Sequence, residues 1–446
     1  VGNGPSGFLG DTDPDRVQAP AAAPPPAAVG APRTFFLTLE GVRSEIPVKP
    51  GETLLAAATP ADPQLLQGLS GVYRVGDGTG RFGSSVVVRS TRRAVSLFAA
   101  KNAAYAVLRA GCIDAGERLV LEGYYRYAAS ADTGLIRLFV EPAAHARALC
   151  GIGPAITDGS MPSLVGQSGV GGELPDAALS VERERPLLDT AGKFMIVVHR
   201  GGCRTIDDCG ASENSLALIR MAEGLGATAV EVDVQLTKDG VPILFHEPGF
   251  SARLVNGTYC RGSLDEHTFA HVRALCTLEY GEPIPTVEDA LTTVIDETDL
   301  EGIWLDIKRP AAVQPALDLA AKHWKLAKDK GRKLQIAVGL GEPEILDAFR
   351  EAKRPEGPHC VVELDPSDVR STGCHVWAPR WTQGPSASEV KALQADGHAV
   401  VYWTIDEVEF MDLFLREGRP NGMLSNRPGL LQHRVQSLGN EIGLGP

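Results

Sequence analysis

The chain has 446 residues, of which 43% are hydrophobic and 22% charged, and its formal net charge is -13 at pH 7. These values are typical of a soluble globular protein, and the length suffices for two folded units. The acidic balance argues against nucleic-acid binding, which needs clustered Lys and Arg, and no run reaches the roughly 18 apolar residues of a transmembrane helix.

The first part of the chain changes character twice. Residues 1–32 are rich in Pro, Ala and Gly and predict a flexible leader that tethers the folded part to a surface. Residues 33–150 carry short β-rich runs separated by GDGTG, DAG and ADTG, which predict a small β-barrel or sandwich of unknown role. One run, AVSLFAAKNAAYAVLRAG, fits a helix equally well. Residues 151–190 are predicted to form a connector with one or two short elements.

Strand-like and helix-like runs alternate from residue 191 to 434, beginning with FMIVVHRG, ENSLALIRMAEGLG and AVEVDVQLT. About eight such strands in about 240 residues predict a (β/α)8 TIM barrel. An open doubly wound sheet is the alternative, but the first strand is not followed by a GxGxxG turn. Residues 435–446 are predicted to be a tail.

Charged and polar side chains occur near the ends of four of these predicted strands, and they are His199, Arg200, Glu231, Asp233, His246, Asp306 and Lys308. Glu231 and Asp233 are two residues apart, which places both carboxylates on one face of their strand. Each residue alone has a structural explanation. Parallel strands are apolar on both faces, however, and buried charge is costly, so the convergence predicts a functional site.

The residue types in this set indicate the chemistry. Three convergent carboxylates are suited to one hard divalent cation, Mg²⁺ or Ca²⁺, rather than to zinc. A cation together with Arg200 and Lys308 suits the negative charge of a phosphodiester and of its transition state. His199 and His246 would then supply a general base and a general acid.

Several motifs make the chain resemble the glycerophosphodiester phosphodiesterase family over about residues 193–430, namely HRGG, SENS, GATAVEVDVQLTKDGVPILFHE, IPTVEDAL, WLDIK, VVYWTIDE and NGMLSNRP. The resemblance implies hydrolysis of glycerophosphodiesters to an alcohol and glycerol phosphate. It implies an acid/base pair, His199 and His246, and phosphate contacts from Arg200 and Lys308. It also implies three metal ligands, which are Glu231, Asp233 and Asp306.

Two positions depart from the family pattern. Asp306 stands where the family usually has Glu, so a metal ion must lie closer to that strand or be held through water. Glu247 follows His246 where the family usually has Asp, which is a minor change.

The Asp306 position, VYWTID and SNRP also resemble the related sphingomyelinase D and phospholipase D toxins, which act on lysophospholipid or sphingomyelin. Those typically lack the HRG and TKDG segments that this chain has, so the soluble glycerophosphodiester is the favoured substrate. Trp403 either contacts a choline head group through its ring or closes the barrel. A barrel that has lost activity and only binds is the third alternative, and retention of every charged position argues against it.

The eight cysteines permit four short-range pairs, at 112 and 150, 203 and 209, 260 and 276, and 360 and 374. Disulfides would indicate an exported protein, periplasmic, extracellular or surface-tethered, whereas buried thiols would indicate a cytoplasmic one. Cys203 and Cys209 follow Arg200 closely. A disulfide there is expected to hold a small loop over the site, with Asp207 and Asp208 at its tip as a charge filter.

Overall fold

The computed structural model describes residues 35–39, 42–48, 53–128, 130, 132–157, 159–204, 207 and 209–444. The predicted leader, residues 1–32, lies outside them. The described chain forms an antiparallel β-barrel followed by a parallel one, and each is closed by eight strands. Both parts of the predicted fold class, a β-rich domain and a TIM barrel, are confirmed.

The first barrel is a meander in which each strand pairs with the next and the last pairs with the first. A separate hairpin (β1 and β2) precedes it, and a short strand, β3, pairs with β7 at its side. The strands of this half are β1 (Phe35–Leu39), β2 (Val42–Val48), β3 (Thr59–Pro60), β4 (Gly71–Val75), β5 (Ser85–Ser90), β6 (Val95–Ala99), β7 (Ala104–Ile113), β8 (Arg118–Tyr127), β9 (Thr133–Glu141), β10 (Ser163–Ser168) and β11 (Ala177–Arg185).

The residues expected to connect the two domains, 151–190, instead complete the first barrel with β10 and β11. Leu164 faces Val181 across this pair, and both side chains are fully buried in the barrel core. Without these strands, β9 and β4 would leave unpaired sheet edges. The ambiguous run AVSLFAAKNAAYAVLRAG forms two antiparallel strands rather than a helix.

The second barrel is parallel and confirms the predicted TIM barrel. Strands β12, β13 and β19 to β24 follow one another around it, and β24 pairs with β12 to close it. The strands of this half are β12 (Met195–Val198), β13 (Ala229–Leu236), β14 (Pro242–Leu244), β15 (Gly249–Phe250), β16 (Val255–Asn256), β17 (Gly262–Ser263), β18 (Thr277–Leu278), β19 (Gly302–Ile307), β20 (Gln335–Leu340), β21 (His359–Val362), β22 (Val376–Trp377), β23 (Ala399–Tyr402) and β24 (Gly422–Ser425).

Helices α4 and α6 to α12 follow or separate the parallel strands, as the alternating pattern predicts. Helix α12 ends at Leu438, so the tail predicted from residue 435 begins inside this helix. The helices are α1 (Pro63–Leu66), α2 (Thr79–Phe82), α3 (Ala143–Leu149), α4 (Leu216–Met221), α5 (Phe269–Leu275), α6 (Val287–Glu297), α7 (Val313–Asp329), α8 (Pro343–Glu351), α9 (Pro366–Thr372), α10 (Ala387–Ala395), α11 (Val408–Leu413) and α12 (Pro428–Leu438).

The two barrels pack directly against each other. Arg89 of β5 donates a 2.9 Å hydrogen bond to the carbonyl of Ala227, just before β13. Helix α12 approaches the first barrel so closely that a Cβ at Gly429 would lie 2.5 Å from the ring of Phe98. The fully packed contact therefore depends on the absence of a side chain at position 429.

All eight cysteines form disulfides, in the four pairs that their spacing permits. One bridge lies in the first barrel, from Cys112 to Cys150. The other three close short segments of the second barrel.

Candidate active site

The carboxyl ends of the parallel strands border an open cavity of about 870 Å³. Seven of the eight predicted site residues line it, and they are His199, Arg200, Glu231, His246, Asp306, Lys308 and Trp403. The eighth, Asp233, is fully buried and bonded to Lys308. The sequence therefore predicted a set of residues that the fold does bring together.

Strand β13 and its neighbour β19 build the acidic part of the cavity. Glu231 and Asp233 share one face of β13, and Asp233 lies directly opposite Asp306 in the parallel register. One carboxylate oxygen from each of the three residues lies within 4.8 Å of the other two. Among the described residues, Oε1 of Glu231 is buried without a hydrogen-bond partner.

This arrangement fits a divalent cation. Burial raises the pKa of both Glu231 and Asp306, and the charge of Asp233 raises each further. A cation bound among the three oxygens would supply the missing partner of Glu231 and offset the repulsion. The donors are all oxygen, which matches Mg²⁺ or Ca²⁺.

Asp233 is fixed by partners on both sides. Its backbone N–H donates to Oδ1 of Asn214 and its Oδ2 accepts from Nδ2 of the same residue, at 3.0 and 2.7 Å. The ammonium of Lys308 lies 2.9 Å from Oδ1 and also contacts Asp306. Although burial opposes ionisation, Lys308, His246 and Arg200 lower the pKa of Asp233.

Arg200 is oriented by two glutamates. It has a φ of 53° in the turn after β12. Its backbone N–H donates to Oε2 of Glu231 at 2.8 Å, and its guanidinium donates to Oε1 of the buried Glu213 at 2.6 Å. The guanidinium is thus held at the cavity wall beside the acidic cluster.

His199 is held by a hydrogen-bonded chain. Its Nδ1 lies 2.8 Å from Oδ1 of Asn426, and the amide of Asn426 donates to Asp406 at 2.7 Å. An amide oxygen can only accept, so Nδ1 carries the proton and Nε2 is left to accept one. Burial, together with the charge of Arg200, lowers the pKa of His199 to about 4, so the ring is neutral at pH 7.

His246 faces the cavity from the segment after β14. Its Nδ1 lies 3.1 Å from a carboxylate oxygen of Glu247, the residue that replaces the Asp of the family pattern. Arg253 also contacts Glu247, at 3.2 Å. The substitution therefore preserves a negative charge next to this imidazole.

Trp403 borders the cavity, but its side chain already contacts Ala378 and Arg380. Its Nε1 donates to the carbonyl of Ala378 at 2.7 Å, and the guanidinium of Arg380 lies 4.6 Å from the ring centre. A choline head group would have to share the ring with this arginine. A substrate contact by Trp403 thus stays a prediction.

The two cysteines of the small disulfide loop pack between the barrels. Cys203 and Cys209 are joined, but both are buried in an apolar cluster with Leu218 and Met221 of α4, and Tyr105 of the first barrel packs on it. The bridge itself therefore belongs to the contact between the barrels, and the role of the loop as a cap stays a prediction.

The proposed charge filter is not seen at Asp207, which is not among the residues that line the site cavity. Asp207 pairs with Arg204 at 2.9 Å and lines a separate cavity of about 380 Å³ between the barrels. Asp208 lies outside the described residues.

Sequence reasoning missed five residues that shape the site, which are Glu213, Asn214, Glu363, Asp406 and Asn426. Four of them lie in SENS, VVYWTIDE and NGMLSNRP, which were recognised as motifs without a role being assigned. Glu363 follows a buried strand, and that position is the signal by which it could have been found.

Residues 199–430 match the model of the glycerophosphoryl diester phosphodiesterase family. The chain therefore belongs to this family. The match includes all eight predicted site residues.

Named relatives agree with this assignment. A probable glycerophosphodiester phosphodiesterase 2 of Mycobacterium tuberculosis is 27% identical, and the match covers 52% of this chain and 88% of the relative. A glycerophosphodiester phosphodiesterase of Caldanaerobacter subterraneus is 29% identical over 55% of this chain and all of the relative. The mouse glycerophosphodiester phosphodiesterase 1 is 36% identical, but the match covers only 30% of this chain and 40% of the relative.

A phosphodiesterase of Oleispira antarctica, solved in complex with the product sn-glycerol-3-phosphate, is 20% identical with a TM-score of 0.44, covering 54% of this chain and 96% of that structure. None of these matches extends over the whole chain.

Proposed function

We propose that the second barrel hydrolyses glycerophosphodiesters to an alcohol and glycerol phosphate, using one divalent cation and two histidines. The observation that carries this proposal is that His199 and His246 border the same cavity as a cluster of carboxylates in which one buried oxygen of Glu231 lacks a partner. Membership of the family supports the reaction class.

Glu231, Asp233 and Asp306 would hold Mg²⁺ or Ca²⁺, which when bound polarises the phosphoryl group and offsets its negative charge. Lys308, held between Asp233 and Asp306, and Arg200, held by Glu213, would bind the non-bridging phosphate oxygens. Because the side chains of Lys308 and Arg200 are both fixed before the substrate arrives, they reorganise little when it binds.

We assign His199 as the general base and His246 as the general acid. The unprotonated Nε2 of His199 would accept a proton from the attacking hydroxyl, which belongs to water or to the glycerol itself. In the second case the product is a cyclic phosphate that water then opens. Protonated His246, next to the charge of Glu247, would deliver a proton to the leaving alcohol oxygen.

Purified protein should be incubated with glycerophosphocholine, lysophosphatidylcholine and sphingomyelin, and the products followed by phosphorus NMR. We expect glycerol phosphate from the first substrate. Preferred turnover of the two lipids would replace the proposal with a phospholipase D or sphingomyelinase D activity. Turnover of none, with Mg²⁺ or Ca²⁺ present, would indicate a barrel that only binds.

We also infer that the protein works in an oxidising compartment outside the cytoplasm. Four disulfides, using every cysteine of the chain, support this inference. Among the described residues no helix has both the length and the apolar character that a bilayer crossing requires. Mass spectrometry of unreduced peptides checks the pairing, and free thiols at these positions would remove the inference.

A further inference from the structure

The cavity has a second wall, across the barrel from His199. The phosphate-binding side lies on β12, β13 and β19, whereas the opposite side is formed by the residues that follow β20, β21 and β22, and it includes Gly341, Glu363 and Arg380. A volume of about 870 Å³ leaves room for an alcohol group of the substrate next to this wall.

Glu363 is the unexplained residue of this second wall. Its half-buried side chain faces the cavity directly after β21, and in the described part of the chain its carboxyl makes no hydrogen bond and no salt bridge. A Cβ at Gly341 would lie 3.4 Å from this carboxyl, so a side chain at position 341 would press against it. A half-buried carboxyl that lines the cavity without a protein partner is a group to which a bound ligand can hydrogen-bond.

The neighbouring charges indicate which ligand. The guanidinium of Arg380 lies over the ring of Trp403, 4.6 Å from its centre, so a quaternary ammonium would meet a positive charge on the aromatic ring it needs. A neutral polyol meets no such penalty. A carboxylate accepts two hydroxyl protons and a guanidinium donates to hydroxyl oxygens.

We propose that Glu363, with Arg380 on the same cavity wall, is a specificity-determining residue that binds the terminal hydroxyl of the glycerol moiety. This inference rests on the proposed function. It places the glycerol at the second wall and the other alcohol toward solvent, so the protein should accept glycerophosphodiesters with different second alcohols.

The test compares Glu363→Gln with the parent protein, at saturating Mg²⁺ or Ca²⁺, on glycerophosphocholine and on bis(4-nitrophenyl) phosphate, which has no hydroxyl. We expect KM for glycerophosphocholine to rise about tenfold, because the carboxyl that would accept the glycerol hydroxyl proton is replaced by an amide, and kcat/KM for the second substrate to change less than about twofold. Gly341→Ala, which places a methyl group against the carboxyl, should raise the same KM.

Glu344→Gln, at an exposed carboxylate of α8 outside the cavity, is the matched control and should change neither substrate. Equal losses on both substrates in Glu363→Gln would overturn the inference and place Glu363 among the phosphate-binding groups. Unchanged kinetics on both would overturn it as well. A parent protein that cleaves only bis(4-nitrophenyl) phosphate would overturn the proposed function together with this inference.

Discussion

The two barrels of this protein have the same number of strands but differ in the hydrogen bonds of their buried carboxylates. In the antiparallel barrel, Glu122 is buried and its Oε2 accepts from Thr53 and from the backbone N–H groups of Leu54 and Leu55, while Oε1 contacts Arg137. In the parallel barrel, one oxygen of the buried Glu231 has no such partner. A buried carboxylate whose oxygens all have partners within the protein stabilises the fold. A buried carboxylate with an unpartnered oxygen indicates a ligand.

Strand direction explains where these groups occur. Parallel strands bring all their carboxyl ends to one mouth, so residues from distant parts of the sequence meet there. Antiparallel strands alternate, and their ends meet mainly their sequence neighbours. The carboxylate cluster that could hold a metal ion, found among the described residues, lies accordingly in the second barrel.

The largest expected effect is a loss of activity without a loss of stability. His199→Ala and His246→Ala should each lower kcat by at least about a hundredfold with little change in Tm, because each removes a proton-transfer group. Steady-state kinetics and thermal unfolding measure the two effects. Full activity in both variants would contradict the acid/base assignment.

Two variants, one in each barrel, test the difference between the two buried carboxylates. Glu231→Gln should abolish most activity and leave the free energy of unfolding of the metal-free protein unchanged or higher, because one of three repelling charges is removed. Glu122→Gln should leave kcat within about twofold and lower stability by about 1 to 3 kcal/mol, because its charged hydrogen bonds are lost. Loss of stability in Glu231→Gln without loss of activity would show that Glu231 is a structural carboxylate and not a ligand-binding one.

The contact between the barrels includes the disulfide from Cys203 to Cys209. Replacing both cysteines with Ser should lower stability by roughly 2 kcal/mol, the value expected for so short a loop. Because the bridge packs on α4 and Tyr105 rather than over the cavity, KM should change by less than about threefold. A large rise in KM at unchanged stability would support the interpretation of the loop as a cap.

A smaller, pH-dependent effect is expected where α12 meets β5. His433 is buried with its Nε2 3.2 Å from the hydroxyl of Ser85, and burial, with the charge of Arg434, lowers its pKa to about 4. The unfolded chain takes up this proton near pH 6.5, so stability falls as the pH drops from 6.5 toward 4.

His433→Gln should remove about 2 kcal/mol of that acid destabilisation at pH 5, as measured by denaturant unfolding at pH 7.5 and pH 5. An equal pH dependence in the variant and the parent protein would contradict the shifted pKa of His433.

Much of the second barrel and its site could be predicted from the sequence, because alternating strands and helices have a distinctive pattern and the strand ends have a fixed role. The packing of Cys203 and Cys209 between the barrels could not be predicted, because a disulfide spacing does not say which surface the bridge contacts. Assigning 151–190 to a connector failed because β10 and β11 are partly polar, and only the closure of the first barrel explains them. Glu363 was missed because a single carboxylate after a strand is ordinary until its lack of partners is seen.

The most direct test of metal-dependent hydrolysis uses exhaustively chelated protein and glycerophosphocholine, before and after addition of Mg²⁺ or Ca²⁺, with glycerol phosphate followed by phosphorus NMR. We expect no product from the chelated protein and restored product after addition of either ion, but not in Glu231→Gln. Full product formation after chelation would contradict the claim that Glu231, Asp233 and Asp306 hold a catalytic cation.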